Sequence, residues 1–557
     1  MKSNCVNYLS GCFLAGALTA VPAALGDTIT NTANITNSVT WYSTNEYIMT
    51  GPVYVLSNAV LNIEAGTVVK GTPGQLGVTN SAATLFITRG GKLYANGTVD
   101  NPIIFTSVDD DVNDPTDLTI ADKALWGGIV IFGNAILNTA VDNAGNAAPV
   151  KYDIYEGIPD TVINGQRVHR YGGTNDADNS GVLRYVSIRH GGYNITTDKE
   201  INGLSPCCVG SNTVIEYVEV IANADDGFEF FGGTVNAKYL VSAFNDDECF
   251  DIDQGYRGKG QFWFGIDQPK IQEYGCEWNG DPNSNIQSNT PLARFTIYNM
   301  TVIGSLGPGG TSNGTNINNR GIRVRDYAAP QLYNSIMTEF AGSGLRVEAN
   351  TLVFLTNNTV NIKDNLWWDF KTNGVPTTAW ENDSVKVNVF DPPAYNNSVT
   401  NPLLTSISRT NYPAFGLNPL LQAGSPGWVQ TRTAPNDGFF VPVSFKGAFT
   451  NKNWAGDWTA LSAYCVLSTI NGGPNVFLPP ASVMLVPPTL QAVLEAGNLE
   501  ITLVSKVGQS YQLQSSTNVS APVVWIDEGT PKIGTGGTLT FVAPATASGK
   551  FFQVQSQ

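Results

Sequence analysis

The fold class this sequence predicts is all-β: a right-handed parallel β-helix followed by a small C-terminal β-sandwich-like domain. Three observations predict it. First, an acid-rich phrase, "NADDGFEFFGG" (Asn223–Gly233), returns one 22-residue step later as "NDDECFDIDQG" (Asn245–Gly255). Second, residues alternate within each phrase. Phe228, Phe230, Phe250 and Ile252 fall on one face, and Glu229, Asp251 and Asp253 on the other. That is the period of a strand with its apolar side inward. Third, "LRYVSI", "IEYVEV" and "AKYLVS" align on Tyr185, Tyr217 and Tyr239, and "GIRVRD" (from Gly321) returns as "GLRVEA" (from Gly344). No unit of this length buries its apolar face alone, so the units must stack as coils. Parallel crossovers are right-handed in nearly all cases, which sets the hand.

The chain elements follow in order. Residues 1–26 read as a signal peptide: Lys2 precedes the apolar run Tyr8–Gly26. The mature chain is therefore expected to be secreted or held at the outer cell surface. No other segment approaches the ~20 apolar residues of a membrane span. Residues 27–50 lead into the coils, and 51–356 form the β-helix. Two insertions, Asp109–Lys123 and Asp142–Asn179, are expected to project from it as loops. Residues 357–476 become irregular, with the aromatic stretches Asp437–Phe449 and Asn453–Trp458 expected to close an open end. A Pro-rich linker, 477–488, leads to the C-terminal β-domain, 489–557.

Composition narrows the partners. At 557 residues the chain exceeds one ordinary core, and 57 glycines with 10% aromatics suit strands joined by tight turns. A net charge of −16 argues against nucleic acid and anionic membranes. Two histidines, His169 and His190, exclude a His-rich metal site and read as packed or turn residues. Five cysteines remain after the leader: Cys207, Cys208, Cys249, Cys276 and Cys465. Outside the cytoplasm they predict one or two disulfides with one thiol left over, Cys249–Cys276 being the preferred pair.

The phrases "IEAGTVVKG", "GTVDNPIIFTS", "WGGIVIFGNA", "DNSGVLRYVSIRHGG" and "DDGFEFFGG" together resemble exported bacterial proteins with the pectin-lyase-like right-handed β-helix fold. The resemblance covers roughly Gly51 to Ser462 and implies the fold. It implies no single activity, because the wider group holds polysaccharide lyases, hydrolases and adhesins. The C-terminal "YQLQSSTN…W…FFQV" is similar to a β-module ending many exported bacterial proteins, which implies an attachment or sorting role.

The repeated acids carry the chemistry. Coils ~4.8 Å apart place Glu229 against Asp251, and like charges at that distance repel by ~1 kcal/mol in water and ~3 at an effective dielectric of 20. Asp225 with Asp247, and Asp226 with Glu248, repeat the problem at the adjoining turn. Hydration, the nearby Arg257 and Lys259, or a bound cation could offset it, and carboxylates with turn carbonyls are the ligands calcium takes. The metal candidates are Asp225, Asp226, Glu229, Asp247, Asp251 and Asp253. A second set, Asp176, Asp178 and Ser180 in "DADNSG", matches the opening of a calcium loop but has Ser187 where a closing Glu belongs.

Two functional classes follow. A binding protein would grip extracellular polysaccharide or a cell-surface component, stacking sugars on Trp263, Trp278, Trp367 and Trp368. A calcium-dependent polysaccharide lyase would use the acids for the metal and Lys259 or Arg257 as the base. A glycoside hydrolase would instead pair aspartates such as Asp246, Asp247 and Asp251. No Ser-His-Asp order, phosphate loop or nucleotide fingerprint is present.

Overall fold

The structure is a computed structural model that describes residues 27–31, 33–75, 78–138, 151–195, 199, 201–269, 274–281, 290–305, 319–372, 375–409, 416–429, 431–450, 452–464 and 466–467, together with 6–9, 491–495, 498–504, 510–516, 526–533, 538–544 and 551–556. The chain divides into two compact units, residues 26–483 and residues 1–25 with 484–557. Of the sequence expectations, most of the leader, the linker 477–488, Cys465 and residues 142–150 of the second insertion lie outside the described residues.

The larger unit is a parallel β-helix whose coil has three faces. One face is a sheet of nine described strands. They run from Val53–Val55 through Phe228–Phe231, Phe250–Asp253 and Cys276–Asn279 to Leu345–Val347. The other two faces come from strands such as Gly181–Arg189, Val214–Ile221, Asn236–Ala243 and Lys259–Ile266. Each of these bends at one left-handed residue, Tyr185, Tyr217, Tyr239 and Phe262, with φ between 49° and 59°. Pairing skips the bend: Arg184 faces Glu216, and the next pair is Val186 with Val218. The chain thus turns a corner while both halves keep their ladder bonds.

A left-handed conformation strains any residue with a Cβ. Here the bend side chains stack from coil to coil, with ring centroids 4.4, 4.3 and 4.9 Å apart from Tyr185 to Phe262. Each contact of this kind adds ~0.5–1.5 kcal/mol.

The expected register is present. Phe228 pairs with Phe250, Glu229 with Asp251 and Phe230 with Ile252. Phe228 and Phe250 point inward and stack at 5.7 Å, in one core with Phe230 and Trp263. Further on, Ile322 meets Leu345, as the "GIRVRD" and "GLRVEA" repeat requires.

Three expectations are corrected. In its described residues the second insertion does not project: Tyr155, Val168 and Tyr171 are buried on the outside of the nine-stranded sheet, packed with Phe86, Phe132 and Phe231. Outward residues in these coils are aromatic, and burying them repays folding the loop back. The aromatic segment near residues 445–467 does not close an end but straps the flank. Trp458 meets the edges of Tyr185 and Tyr217, Trp454 that of Tyr239, and buried Glu219 accepts bonds from the Ala460 and Leu461 amides. Finally, Cys207, Cys208, Cys249 and Cys276 are free, buried thiols, so the Cys249–Cys276 disulfide is absent. Burial pushes all four thiols up, away from the reactive thiolate.

Both histidines are structural. Nδ1 of His190 donates to the Asp122 carbonyl, so Nε2 accepts from the Tyr464 hydroxyl at 2.7 Å. His169 is bonded likewise between Pro159 and Tyr54. Among the described residues no helix is long and apolar enough to cross a membrane.

The smaller unit, in its described residues, is antiparallel. Asn498–Val504 pairs with Gln491–Glu495 and Thr538–Pro544, and Ser510–Ser516 pairs with Phe551–Ser556. Leu499, Ile501, Leu513, Phe541 and Val554 form its core. Val6–Leu9 pairs with Phe551–Ser556.

Candidate metal centre

Strand alternation places Glu229, Asp251, Asp253 and Glu277 on the outer side of the nine-stranded sheet, because their neighbours Phe228, Phe230, Phe250, Ile252 and Trp278 fill the core. Asp225, Asp226, Asp247 and Glu248 occupy the turns leading into the same strands. The carboxylate oxygens of Asp226, Glu229 and Asp251 lie within 4.8 Å of one another, as do those of Asp225, Asp226 and Asp247. Asp226 belongs to both trios, so the two form one continuous cluster.

The cluster is buried. Asp226, Glu229, Glu248, Asp251 and Asp253 are only 5–8% exposed, which overturns hydration as the offset for their charge. The nearby bases form no ion pair with them either, although Arg325 acts on Asp251 and Asp253 from a distance. Arg257 forks onto both oxygens of Asp176, and Lys259 pairs with Asp437 at 2.6 Å. Lys123 pairs with Asp246, Lys199 with Glu156, and Arg323 and Arg325 with Glu277. Among the described residues, none of the five buried acids is ion-paired. Desolvation, and then repulsion from the neighbouring carboxylates, pushes Asp226 and Glu229 well above the usual carboxylate range, and desolvation dominates at Glu248, Asp251 and Asp253 too. Asp247 is raised as well, chiefly by burial.

Hydrogen bonds fix the acids in place. Asp226 accepts from the Glu248 amide at 2.8 Å, Glu248 from the Tyr274 amide at 3.2 Å, and Asp253 from the Gln254 amide at 2.9 Å. Asn202 donates its amide nitrogen to Glu229. Oδ1 of Asp247, Oδ1 of Asn202 and Oδ1 of Asn223 are among the buried oxygens that have no hydrogen-bond partner. A hard cation binding six to eight oxygens would use such atoms together with the clustered carboxylates. The donor set fits calcium: all oxygen, mostly anionic, with no sulfur or imidazole.

The other sequence-predicted site residues fall elsewhere. Asp176 is engaged by Arg257 and the Ile136 amide, and the Arg257 bonds hold its carboxyl below the usual range. Asp178 accepts from Asn134 and from Ser180. The "DADNSG" loop is thus tied within the protein and is not brought to the acid cluster. Trp263, Trp278 and Trp367 are fully buried and cannot stack on a sugar. Trp263 lies flat on Phe230 at 5.5 Å and bonds the Ala237 carbonyl, Trp278 meets the edge of Phe295, and Trp367 packs on Phe390. Of the four tryptophans only Trp368 is exposed, at 38%. Lys259 belongs to a different face of the coil from the acids, and its ammonium is directed to Asp437.

Sequence reasoning missed Glu277, Asn202, Arg323 and Arg325. Glu277 lies one coil above Asp251, since Ile252 pairs with Trp278, but it comes 26 residues after it, which breaks the 22-residue period. Parity gave a signal: in "CEWN" the outward residue between two core residues is an acid. Above it, Glu277, Arg323 and Arg346 stack in register. Charge on the outer face thus changes from acid to base along the helix axis.

A three-faced parallel coil with a charged outer sheet defines the class. Residues 33–401 match the family described as pectate-lyase like beta helix domain, and the chain belongs to that family. No curated protein matches it.

Proposed function

We propose that this is an exported, cell-surface or secreted β-helix protein that binds extracellular acidic polysaccharide through calcium held in the carboxylate cluster. The observation that carries the reading is the burial of Asp226, Glu229 and Asp251 within 4.8 Å of one another without an ion-pair partner among the described residues. Asp226, Glu229 and Asp251 would hold the ion, with Asp225 and Asp247 closing one side. At the Asp225–Asp226–Asp247 end, where Asp225 and Asp247 are only partly buried, the ion could share its coordination with a sugar carboxylate. The acidic net charge of −16 is compatible with that ligand only through a cation. The leader-like N-terminus supports a place outside the cytoplasm.

Elimination is the alternative reading, and the state of the bases weighs against it. Lys259 and Arg257 are committed to Asp437 and Asp176. At Arg323, burial disfavours the charge, but Glu277 and Glu348 outweigh it and raise the guanidinium further, which leaves no proton-free base there. Calorimetric titration with oligogalacturonate, oligoalginate and heparin oligosaccharides tests both readings. Calcium-dependent binding to at least one of them, without growth of the ultraviolet absorbance of an unsaturated uronate, is expected. Asp251→Asn should abolish it. Absence of binding to all three would overturn the proposal, and growing absorbance would establish the lyase instead.

A further inference from the structure

A cavity of ≈ 220 Å³ opens away from the nine-stranded sheet, lined by Thr338, Glu339, Trp368, Asn401, Pro402, Leu404 and Ile407. Its walls come from two adjacent coils and the chain that follows them: Thr338 pairs with Trp368, and residues 401–407 run past both. Alternation explains the aromatic wall. In "NLWWDF", Trp367 fills the core, so Trp368 must point outward. An indole left 38% exposed beside a cavity forgoes the burial that Trp263, Trp278 and Trp367 obtain.

The polar side of the cavity is rigid. Glu339, itself at a left-handed bend with φ 60°, is held by Arg409 at 2.6 Å through one carboxylate oxygen, Oε2. Arg409 is 6% exposed and is also bonded to the Gly304 carbonyl. Oε1 of Glu339 makes no further bond among the described residues, and Glu339 lines a cavity with no lysine or arginine in its lining. Asn401 is exposed, and its Oδ1 accepts from the Leu403 amide, which leaves its Nδ2 to donate outward.

From this geometry we infer that the cavity is a second carbohydrate subsite, selective for an uncharged pyranose and independent of metal. Three features converge on that ligand. The indole offers a flat surface to the apolar face of a sugar ring, and carboxylate and amide groups at the edge accept from and donate to hydroxyls. The volume falls below the roughly 300–1,000 Å³ of sites for drug-sized ligands, which suits a single ring. Glu339 is already neutralised by Arg409 and the lining offers no further base, so a uronate would lose hydration without gaining a counter-charge, and a neutral sugar is favoured. The subsite would engage neutral residues or branches of a polymer and does not depend on the calcium reading.

The test is saturation-transfer NMR and calorimetric titration of the chelator-treated protein with the methyl glycosides of glucose, galactose, mannose, xylose and N-acetylglucosamine, and with methyl galacturonide. At least one neutral glycoside should bind in chelator and the uronide should not. Trp368→Ala should weaken that binding by about tenfold or more. Glu339→Gln should weaken it without loss of fold by circular dichroism. Trp428→Ala, at an exposed tryptophan outside the cavity, should leave it unchanged. Failure of every neutral glycoside to bind, or binding indifferent to Trp368→Ala, would overturn the inference. Binding that appears only with calcium would also overturn it.

Discussion

In the presence of a chelator, the protein is expected to lose stability as the pH rises above the ordinary carboxylate range, and calcium is expected to restore it at the upper end. The folded-state acidities of Asp226, Glu229, Glu248, Asp251 and Asp253 are all raised above their ordinary values, first by desolvation. A carboxyl raised in this way is easier to keep neutral in the folded chain than in the unfolded one. Its stabilising share is therefore complete below the ordinary carboxylate range and is lost as pH climbs through the raised folded value. Ion-paired carboxylates give the opposite slope, so the sign of the pH dependence is diagnostic. Calcium at a hundred times its dissociation constant should add ~2.7 kcal/mol at the upper pH and much less at the lower, where protons compete for the same oxygens. Thermal melts in chelator and in calcium across this rise in pH would show it. A flat profile indifferent to both would contradict the account.

The second large effect is expected at Trp263. Replacement by alanine should cost ~3–5 kcal/mol, because the side chain is fully buried and the core around it is shared between coils. It stacks on Phe230 and lies 4.9 Å from Phe250, so the cavity would open beneath the very strands that carry Glu229 and Asp251. Trp368→Ala should cost far less, since that indole is partly exposed. Denaturant unfolding of both variants checks the contrast. Equal losses would mean that the inward and outward positions have been misplaced.

Much of the fold was legible because a stacked coil writes its register into the sequence. Phe228 and Phe250, and Tyr217 and Tyr239, repeat at 22 residues because each occupies the same point on successive turns, and Tyr185 occupies that point one longer coil earlier. The acid cluster was legible for the same reason. What the repeat does not encode is what lies over it. The insertion that carries Tyr155 and Tyr171, and the strap that carries Trp454 and Trp458, have no period, and only tertiary packing shows which outer face they cover. The burial of the acids was invisible for this reason, and so was the capture of Arg257 and Lys259 by the distant Asp176 and Asp437. The tryptophans show the limit of reading by type. Parity alone assigns Trp278 to the core, since it shares a face with Cys276, whereas Trp263 follows the bend at Phe262, which resets the alternation.

Titration of calcium into chelator-stripped protein at about pH 7.5, compared with the Asp226→Asn/Asp251→Asn variant, tests the central claim most directly. The account predicts saturable uptake with proton release in the native chain and its loss in the variant, with the fold retained. A native chain that takes up no calcium, or a variant that takes it up as well, would contradict it.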